Sequence, residues 1–209
     1  IYDSLQLLAS ADPAIALPEL NVFWSVNNIA ISGSFSDGHI SSSIYVPSLS
    51  SIYILGTEDS DTDEYDRAVV QHEFGHFVED KLSRGDSIGG SHSLDGRLDL
   101  RVAYSEAWGN AFAGMSSGDS VYKDSLGAMQ ASGFGFDVED NYVGSAGWYN
   151  ERSVQSIIYD VFDSNSDGVD QLSLGFGPLL EVIRSQDYVN FDGMMSIFTL
   201  ADALKERHP

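Results

Sequence analysis

Residues 64–82 read EYDRAVVQHEFGHFVEDKL and contain the most informative pattern in the chain. Apolar side chains recur there at helical spacing, which predicts an α-helix from about Glu64 to Leu82. The apolar stripe consists of Val70, Phe74, Phe77 and Val78. The helix therefore has one face suited to a hydrophobic core.

Within this helix, His72 and His76 are four residues apart and Glu73 follows the first histidine. Residues at this spacing project from one helix face, so both imidazoles can bind a single metal ion. Glu73 stands beside them, where a carboxylate can deprotonate a metal-bound water. Zinc suits imidazole and carboxylate ligands and needs no redox chemistry. The alternative is a hydrogen-bonded pair of helical histidines without a metal.

A catalytic zinc site holds three protein ligands and leaves one position for water. The metzincin pattern would place Gly at position 79 and His at position 82, but the chain has Glu79 and Leu82 there. Downstream, the letters SEAWGNA at 105–111 place Glu106 and Asn110 on one face of a second predicted helix. Glu106 is therefore the expected third ligand, and His92, in a Gly- and Ser-rich loop, is the rival candidate.

With these residues, the segment from about 52 to 115 resembles the gluzincin metallopeptidases of the thermolysin type. That family pairs H-E-x-x-H with a Glu ligand from the following active-site helix, in an E-x-x-x-D pattern. The resemblance implies that Glu106 binds zinc and that Asn110, in the place of the usual Asp, braces a ligand histidine. Gly75 and Gly109 would let two helices approach closely around the metal.

The resemblance also implies a fold and a reaction. The fold is α+β, with a β-rich N-terminal lobe, a mainly helical C-terminal lobe and the zinc helix at the cleft between them. The reaction is peptide-bond hydrolysis, in which Glu73 takes a proton from zinc-bound water and passes it to the leaving amine. Thermolysin-like enzymes use Tyr and His to stabilise the oxyanion. Tyr149, Arg152 and His92 are the candidates for that role, against an aromatic at a helix start, an ion pair and a surface histidine.

The remainder of the sequence predicts a single domain spanning 1–209, with strands first and helices later. Runs rich in Ser, Val and Ile predict an antiparallel sheet, so residues 1–60 form the β-rich part. These predicted strands cover 20–26, 29–35, 40–46 and 52–55. Helical spacing of apolar residues recurs at 104–115, 154–162 and 194–204. Residues 61–209 are therefore expected to be mainly helical.

Two acidic segments raise the question of calcium. Residues 58–66 carry six carboxylates in nine positions, which predicts either capping of the following helix or a calcium-binding loop. Residues 163–170 read DSNSDGVD, which matches the first half of an EF-hand-like loop, although Leu174 replaces the bidentate Glu at its twelfth position. A solvated turn is the alternative. The candidate calcium ligands are Asp163, Asn165, Asp167 and Asp170, with Asp160 as a further carboxylate.

Composition excludes several functional classes. The 209 residues carry a formal charge of -22, which disfavours nucleic acid and anionic membranes as partners. The chain has no cysteine, so disulfides, thiol nucleophiles and Cys-ligated metals are excluded. No apolar run approaches the roughly 18 residues that a membrane-spanning helix needs. A protein or peptide substrate is the expected partner, and the start at Ile1 leads us to expect a secreted, mature chain.

Two other functions remain open. One is a metal-stabilised binding or adhesion domain that keeps the zinc ligands but cleaves nothing. The other is a zinc hydrolase that acts on a non-peptide bond. The intact Glu73 favours catalysis over mere metal binding.

Overall fold

The computed structural model describes residues 1–141, 144, 146–164 and 172–209. Over these residues the fold is α+β, with seven helices and two small sheets. The helices are α1 Tyr2–Ala11, α2 Arg67–Leu82, α3 Leu100–Ser117, α4 Glu151–Phe162, α5 Phe176–Ile183, α6 Gln186–Val189 and α7 Ile197–Arg207. The strands are β1 Asn21–Trp24, β2 Ile44–Val46, β3 Ser51–Ile54, β4 Val121–Leu126 and β5 Ser132–Asp137. Among the described residues, no helix is both long and apolar enough to span a bilayer.

The N-terminal sheet has the order β1-β3-β2 and is mixed. Strand β1 runs parallel to β3, whereas β2 runs antiparallel to it. The expected antiparallel sheet is therefore wrong for β1, and the predicted strand at 29–35 is replaced by isolated bridges that pair Ile29 with His39 and Ser32 with Ile40. Short Ser and Gly side chains in that segment offer little to pack on a pleated surface.

Helices α2 and α3 pack side by side at the centre of the molecule. A Cβ on Gly75 would lie 3.2 Å from the Cα of Gly109, so these glycines allow the close approach expected from the sequence. The indole of Trp108 donates a hydrogen bond to the carbonyl oxygen of Gly75 at 3.0 Å. Both helices contribute large side chains to the core, among them Phe74, Phe77, Val78 and Phe112.

The acidic segment before α2 does not cap that helix as expected. The helix begins at Arg67 and not at Glu64, after a 3₁₀ turn at Asp63–Tyr65. Asp66 occupies the N-cap position, but its side chain makes no capping hydrogen bond. Its carboxylate accepts hydrogen bonds from the amide nitrogen and the hydroxyl of Ser125 on β4, at 3.0 and 2.8 Å. This carboxylate therefore joins α2 to a strand.

A helix and a hairpin lie where the sequence predicted the other kind of structure. Helix α1 lies within the segment expected to be strands and turns, and it buries Leu8 completely in the core. Strands β4 and β5 form a hairpin within the segment expected to be mainly helical. The rings of Tyr122 and Phe136 stack across this hairpin with centroids 4.8 Å apart. Gly133 and Gly135 obscured β5 because glycine is uncommon in strands.

Candidate metal centre

Three side chains from α2 and α3 converge on one point. The Nε2 atoms of His72 and His76 are 3.0 Å apart. The Oε2 atom of Glu106 lies 3.4 Å from the first and 3.5 Å from the second. A tetrahedral site with metal–ligand distances of about 2.0 Å places its ligand atoms about 3.3 Å apart. The His72–His76–Glu106 group therefore has the spacing to hold one metal ion.

Helix packing produces this convergence. The i,i+4 spacing brings the two imidazoles to the same face of α2. A Cβ on Gly109 would lie 2.7 Å from the ring of His72, so only glycine lets α3 come close enough to present Glu106. His72 is buried with 7% exposure, and the side chain of Glu106 is 12% exposed. The ligands are thus largely shielded from water.

A hydrogen-bond network fixes the orientation of His72. The Nδ1 atom of this ring donates to Oδ1 of Asn110 at 2.8 Å. The amide nitrogen of Asn110 donates to Glu151 at 2.7 Å and to Gln155 at 2.9 Å, so the amide cannot be reversed without losing both bonds. The lone pair of His72 Nε2 is therefore left free on the side of His76 and Glu106, and Asn110 contacts His72 in the way that a bracing residue would.

The second imidazole has its own support. Nδ1 of His76 lies 3.4 Å from the hydroxyl oxygen of Ser105, which donates to Glu79 at 2.6 Å. Glu79 is buried within α2 and lies 3.7 Å from the same ring nitrogen. Ser105 and Glu79 thus favour a proton on Nδ1 and leave Nε2 of His76 free for a metal.

Glu73 lies beside this group but points toward the N-terminal sheet. Its Oε2 atom accepts a hydrogen bond from the backbone nitrogen of Tyr45 on β2 at 2.6 Å. Burial raises the pKa of Glu73, and the carboxylate of Glu106 raises it further against the opposing effect of the two imidazoles. Glu73 therefore faces β2 with one of its oxygens, and its buried carboxyl has a raised pKa.

Charge coupling within the site is strong. Burial alone would raise the pKa of Glu106, but the imidazoles of His76 and His72 hold it well below its ordinary value. Burial alone would lower the pKa of His76, but Glu106 and Glu79 raise it well above the ordinary value. An acidic Glu106 stays ionised, as a metal ligand must, whereas protons compete with a metal for His76.

His92 reaches the same site from the loop between α2 and α3. Its Nε2 atom lies 3.3 Å from Oε2 of Glu106, and its Nδ1 atom lies 3.0 Å from Oε2 of Glu151. The hydrogen bond to Glu151 is the main factor that raises the pKa of His92. Glu151 joins His92 to the Asn110 network. The sequence did not indicate this role, because no local pattern connects the first residue of α4 with Glu106, 45 residues upstream.

Tyr149 and Arg152 make side-chain contacts with residues other than His72, His76 and Glu106. The hydroxyl of Tyr149 contacts the carbonyl of Ala146 at 3.5 Å, and its ring packs under the guanidinium of Arg97. Arg152 forms an ion pair with Asp95 at 3.1 Å. Both side chains therefore have the structural contacts that the sequence offered as the alternative to an oxyanion role.

The candidate calcium residues at 163–170 fall largely outside the described residues. Asn165, Asp167 and Asp170 lie there, and Asp163 is the C-terminal cap residue of α4. Calcium binding by this segment stays a prediction.

A cavity of about 1020 Å³ opens over the metal centre. It is lined by the three ligand side chains together with Glu73, His92 and Tyr45. Comparisons of the chain with protein-family models, with curated proteins and with solved structures found no match. The function of this site is therefore argued from its own geometry.

Proposed function

We propose that this chain is a secreted zinc endopeptidase of the gluzincin type. The observation that carries the proposal is the convergence of His72, His76 and Glu106 beside Glu73. Two imidazoles and one carboxylate are a donor set used by catalytic zinc, which keeps its fourth position open for water. When bound, zinc would act as a Lewis acid that lowers the pKa of water and polarises the substrate carbonyl.

Glu73 would act as the general base. Its buried carboxylate has a raised pKa, which suits a group that accepts a proton from the attacking water and returns it to the leaving amine. The hydrogen bond from Tyr45 holds one of its oxygens and thereby limits the rotation of the carboxylate. The raised pKa and the restricted rotation of this carboxylate both support the role of a general base for Glu73.

His92 is the best candidate for the oxyanion donor. Glu151 holds its Nδ1 atom at 3.0 Å and thereby fixes the orientation of the ring. A proton on Nε2 would lie on the Glu106 side of the centre, where it could donate to a carbonyl oxygen as negative charge develops. This assignment uses one of the three donor candidates named from the sequence.

The cavity supports an extended substrate in a cleft between two lobes. Its wall includes Tyr45 from the N-terminal sheet and Glu106 from the central helices, so the proposed lobes would each supply part of it. A volume of about 1020 Å³ is at the upper end of the roughly 300–1,000 Å³ found for small-molecule pockets. A peptide segment is therefore a better match to this space than a single small metabolite.

The test is the E73Q variant, which removes the base and leaves all three ligands. We expect peptide hydrolysis to fall by about 10²–10⁴-fold while the zinc content stays at one ion per chain. Zinc is measured by elemental analysis and hydrolysis with a fluorescence-quenched peptide library. The matched control is E19Q, which makes the same change at an exposed position.

Two results would contradict the proposal. Full peptidase activity in E73Q would remove Glu73 from the mechanism. A wild-type chain that binds zinc but cleaves no peptide would favour the binding domain or the non-peptide hydrolase.

A further inference from the structure

A second group of side chains able to hold a metal lies on the wall of the same cavity. It consists of Asp61, Asp63 and Asp124, each of which offers a carboxylate oxygen within 4.8 Å of the other two. The first two belong to the acidic segment before α2, and Asp124 lies on β4. We call these three residues the aspartate cluster. Three like charges at this separation repel one another unless a proton or a cation intervenes.

Each aspartate of the cluster has a buried oxygen without a hydrogen-bond donor. The oxygens concerned are Oδ1 of Asp61, Oδ1 of Asp63 and Oδ1 of Asp124. Asp63 is the most buried, with 3% exposure, and its other oxygen accepts a hydrogen bond from Ser43 at 2.5 Å. An unpartnered carboxylate oxygen in the interior carries a large desolvation penalty, so three of them in one place indicate a missing positive ligand.

The described residues supply no counter-charge to this cluster. No Lys, Arg or His in the described part of the chain forms an ion pair with Asp61, Asp63 or Asp124. Burial is the leading cause that raises the pKa of Asp63 to about 8 and that of Asp124 to about 6. Within the described part of the chain, the cluster therefore has no cationic side chain as a partner.

We propose that the aspartate cluster binds a calcium ion. Calcium is coordinated by six to eight oxygens in flexible geometry, and three carboxylates with water can supply them. Magnesium requires near-ideal octahedral geometry and usually keeps several waters, so it suits an all-carboxylate cage less well. This site uses none of the candidate residues at 163–170, and it goes beyond the proposed peptidase activity.

The bound ion would fix the acidic segment against the hairpin. Asp61 already pairs with Leu126 through a backbone bridge, and the amide of Gly127 donates to the carbonyl of Ser60. A cation held between Asp61, Asp63 and Asp124 would join the same two elements through their side chains. Since this junction borders the cavity and precedes α2, calcium would stabilise the wall of the site without taking part in the reaction.

Thermal unfolding in the presence of calcium tests the proposal. The chain is dialysed against a calcium chelator, given one equivalent of zinc and melted with CaCl₂ up to about 10 mM, above the weakest affinity class of extracellular calcium modules. We expect Tm of the wild type to rise by about 5–10 °C at a calcium concentration 100 times Kd. A parallel series with MgCl₂ at the same concentrations is the control for general screening of the acidic surface.

The variant D63N removes the central carboxylate, and D59N makes the same change at an exposed position of the same segment. We expect D63N to lose most of the calcium shift and D59N to keep it. The Tm of D63N without calcium shows whether this variant folds. Because the substitution removes a charge that its neighbours repel, this Tm should be equal to or above that of the wild type.

Three outcomes would overturn the proposal. The first is a wild-type Tm that does not respond to calcium. The second is a calcium-dependent Tm shift that is equal in the wild type and D63N but absent in a D167N variant. That result would assign the ion to the segment 163–170. The third is an equal response to magnesium and calcium in every variant, which would indicate surface screening alone.

Discussion

The metal centre and the aspartate cluster lie on one cavity but are built in opposite ways. The metal centre combines two imidazoles with one carboxylate on two packed helices, and Asn110 and Ser105 support its imidazoles. The aspartate cluster combines three carboxylates from a turn and a hairpin, and each has an orphaned oxygen. The first site is organised by the protein itself, whereas the second depends on a positive ligand. Loss of one carboxylate should therefore have opposite consequences in the two.

The largest expected effect comes from E106Q. Loss of this ligand removes the negative charge from the three-donor set, and zinc affinity should fall by more than the roughly 10–100-fold that loss of a bracing residue produces. D124N, on the aspartate cluster, should retain one zinc per chain and respond less to calcium. Competition with a chromogenic zinc chelator measures the zinc affinity of E106Q and that of D124N. Equal zinc affinity in E106Q and the wild type would separate Glu106 from the metal.

The sequence was sufficient for the parts of the site that depend on local helical geometry. Helix periodicity places His72 and His76 on one face of α2, and Glu106 and Asn110 on one face of α3. The contributions of Glu151 and Asp124 depend on how distant segments pack, and no spacing along the chain encodes that. For the same reason, Tyr149 was a reasonable candidate by sequence although its side chain contacts Ala146.

The fold shows the same limit. The central helices were predicted because each has a long apolar periodicity, and their true ends differ from the predicted ones by a few residues. The parallel pairing of β1 with β3 depends on a crossover that the strand pattern does not specify. Strand β5, with Gly133 and Gly135, is held by pairing with β4 and not by its own propensity.

The second prediction concerns N110D, which introduces the residue typical of the gluzincin pattern. Here it should weaken zinc binding by about 10-fold, within the range for bracing residues, because a carboxylate at 110 would face that of Glu151 in place of an amide that donates to it. The double variant N110D/E151Q restores a donor opposite the new carboxylate and should recover most of the affinity. Tighter zinc binding by N110D than by the wild type would contradict this reading of the network.

The third prediction tests the close packing that distinguishes the metal centre from the aspartate cluster. In G109A the new Cβ would lie 2.7 Å from the ring of His72, so the helices must separate or the ring must move. Overpacking of this kind costs about 1–3 kcal/mol in the free energy of unfolding. G177A is the matched control, because a Cβ there meets nothing within 4 Å. Equal urea midpoints for the two variants would show that the α2–α3 interface accommodates a methyl group at position 109 without loss of stability.

The aspartate cluster provides a pH dependence of its own. Burial is the leading cause that raises the pKa of Asp63 to about 8, with Asp61 and Asp124 as neighbouring charges. Asp66 and Glu64 also face the cluster and act on Asp61. Because these folded-state pKa values exceed the unfolded value, the folded chain binds more protons between about pH 4 and pH 8. Its free energy of unfolding should therefore fall as the pH rises through that window.

The last prediction concerns the change of this slope in D63N. Between about pH 5 and pH 8, in a calcium chelator, the free energy of unfolding of D63N should fall by at least about 1.4 kcal/mol less than that of D59N, the equivalent of one pKa unit. Urea unfolding at each pH measures the slopes, and the exposed change in D59N corrects for the general charge of the surface. Calcium binds the ionised carboxylates and should flatten the slope of D59N toward that of D63N. If the two slopes agree without calcium, the buried aspartates are already compensated within the protein, and the contrast between the two sites disappears.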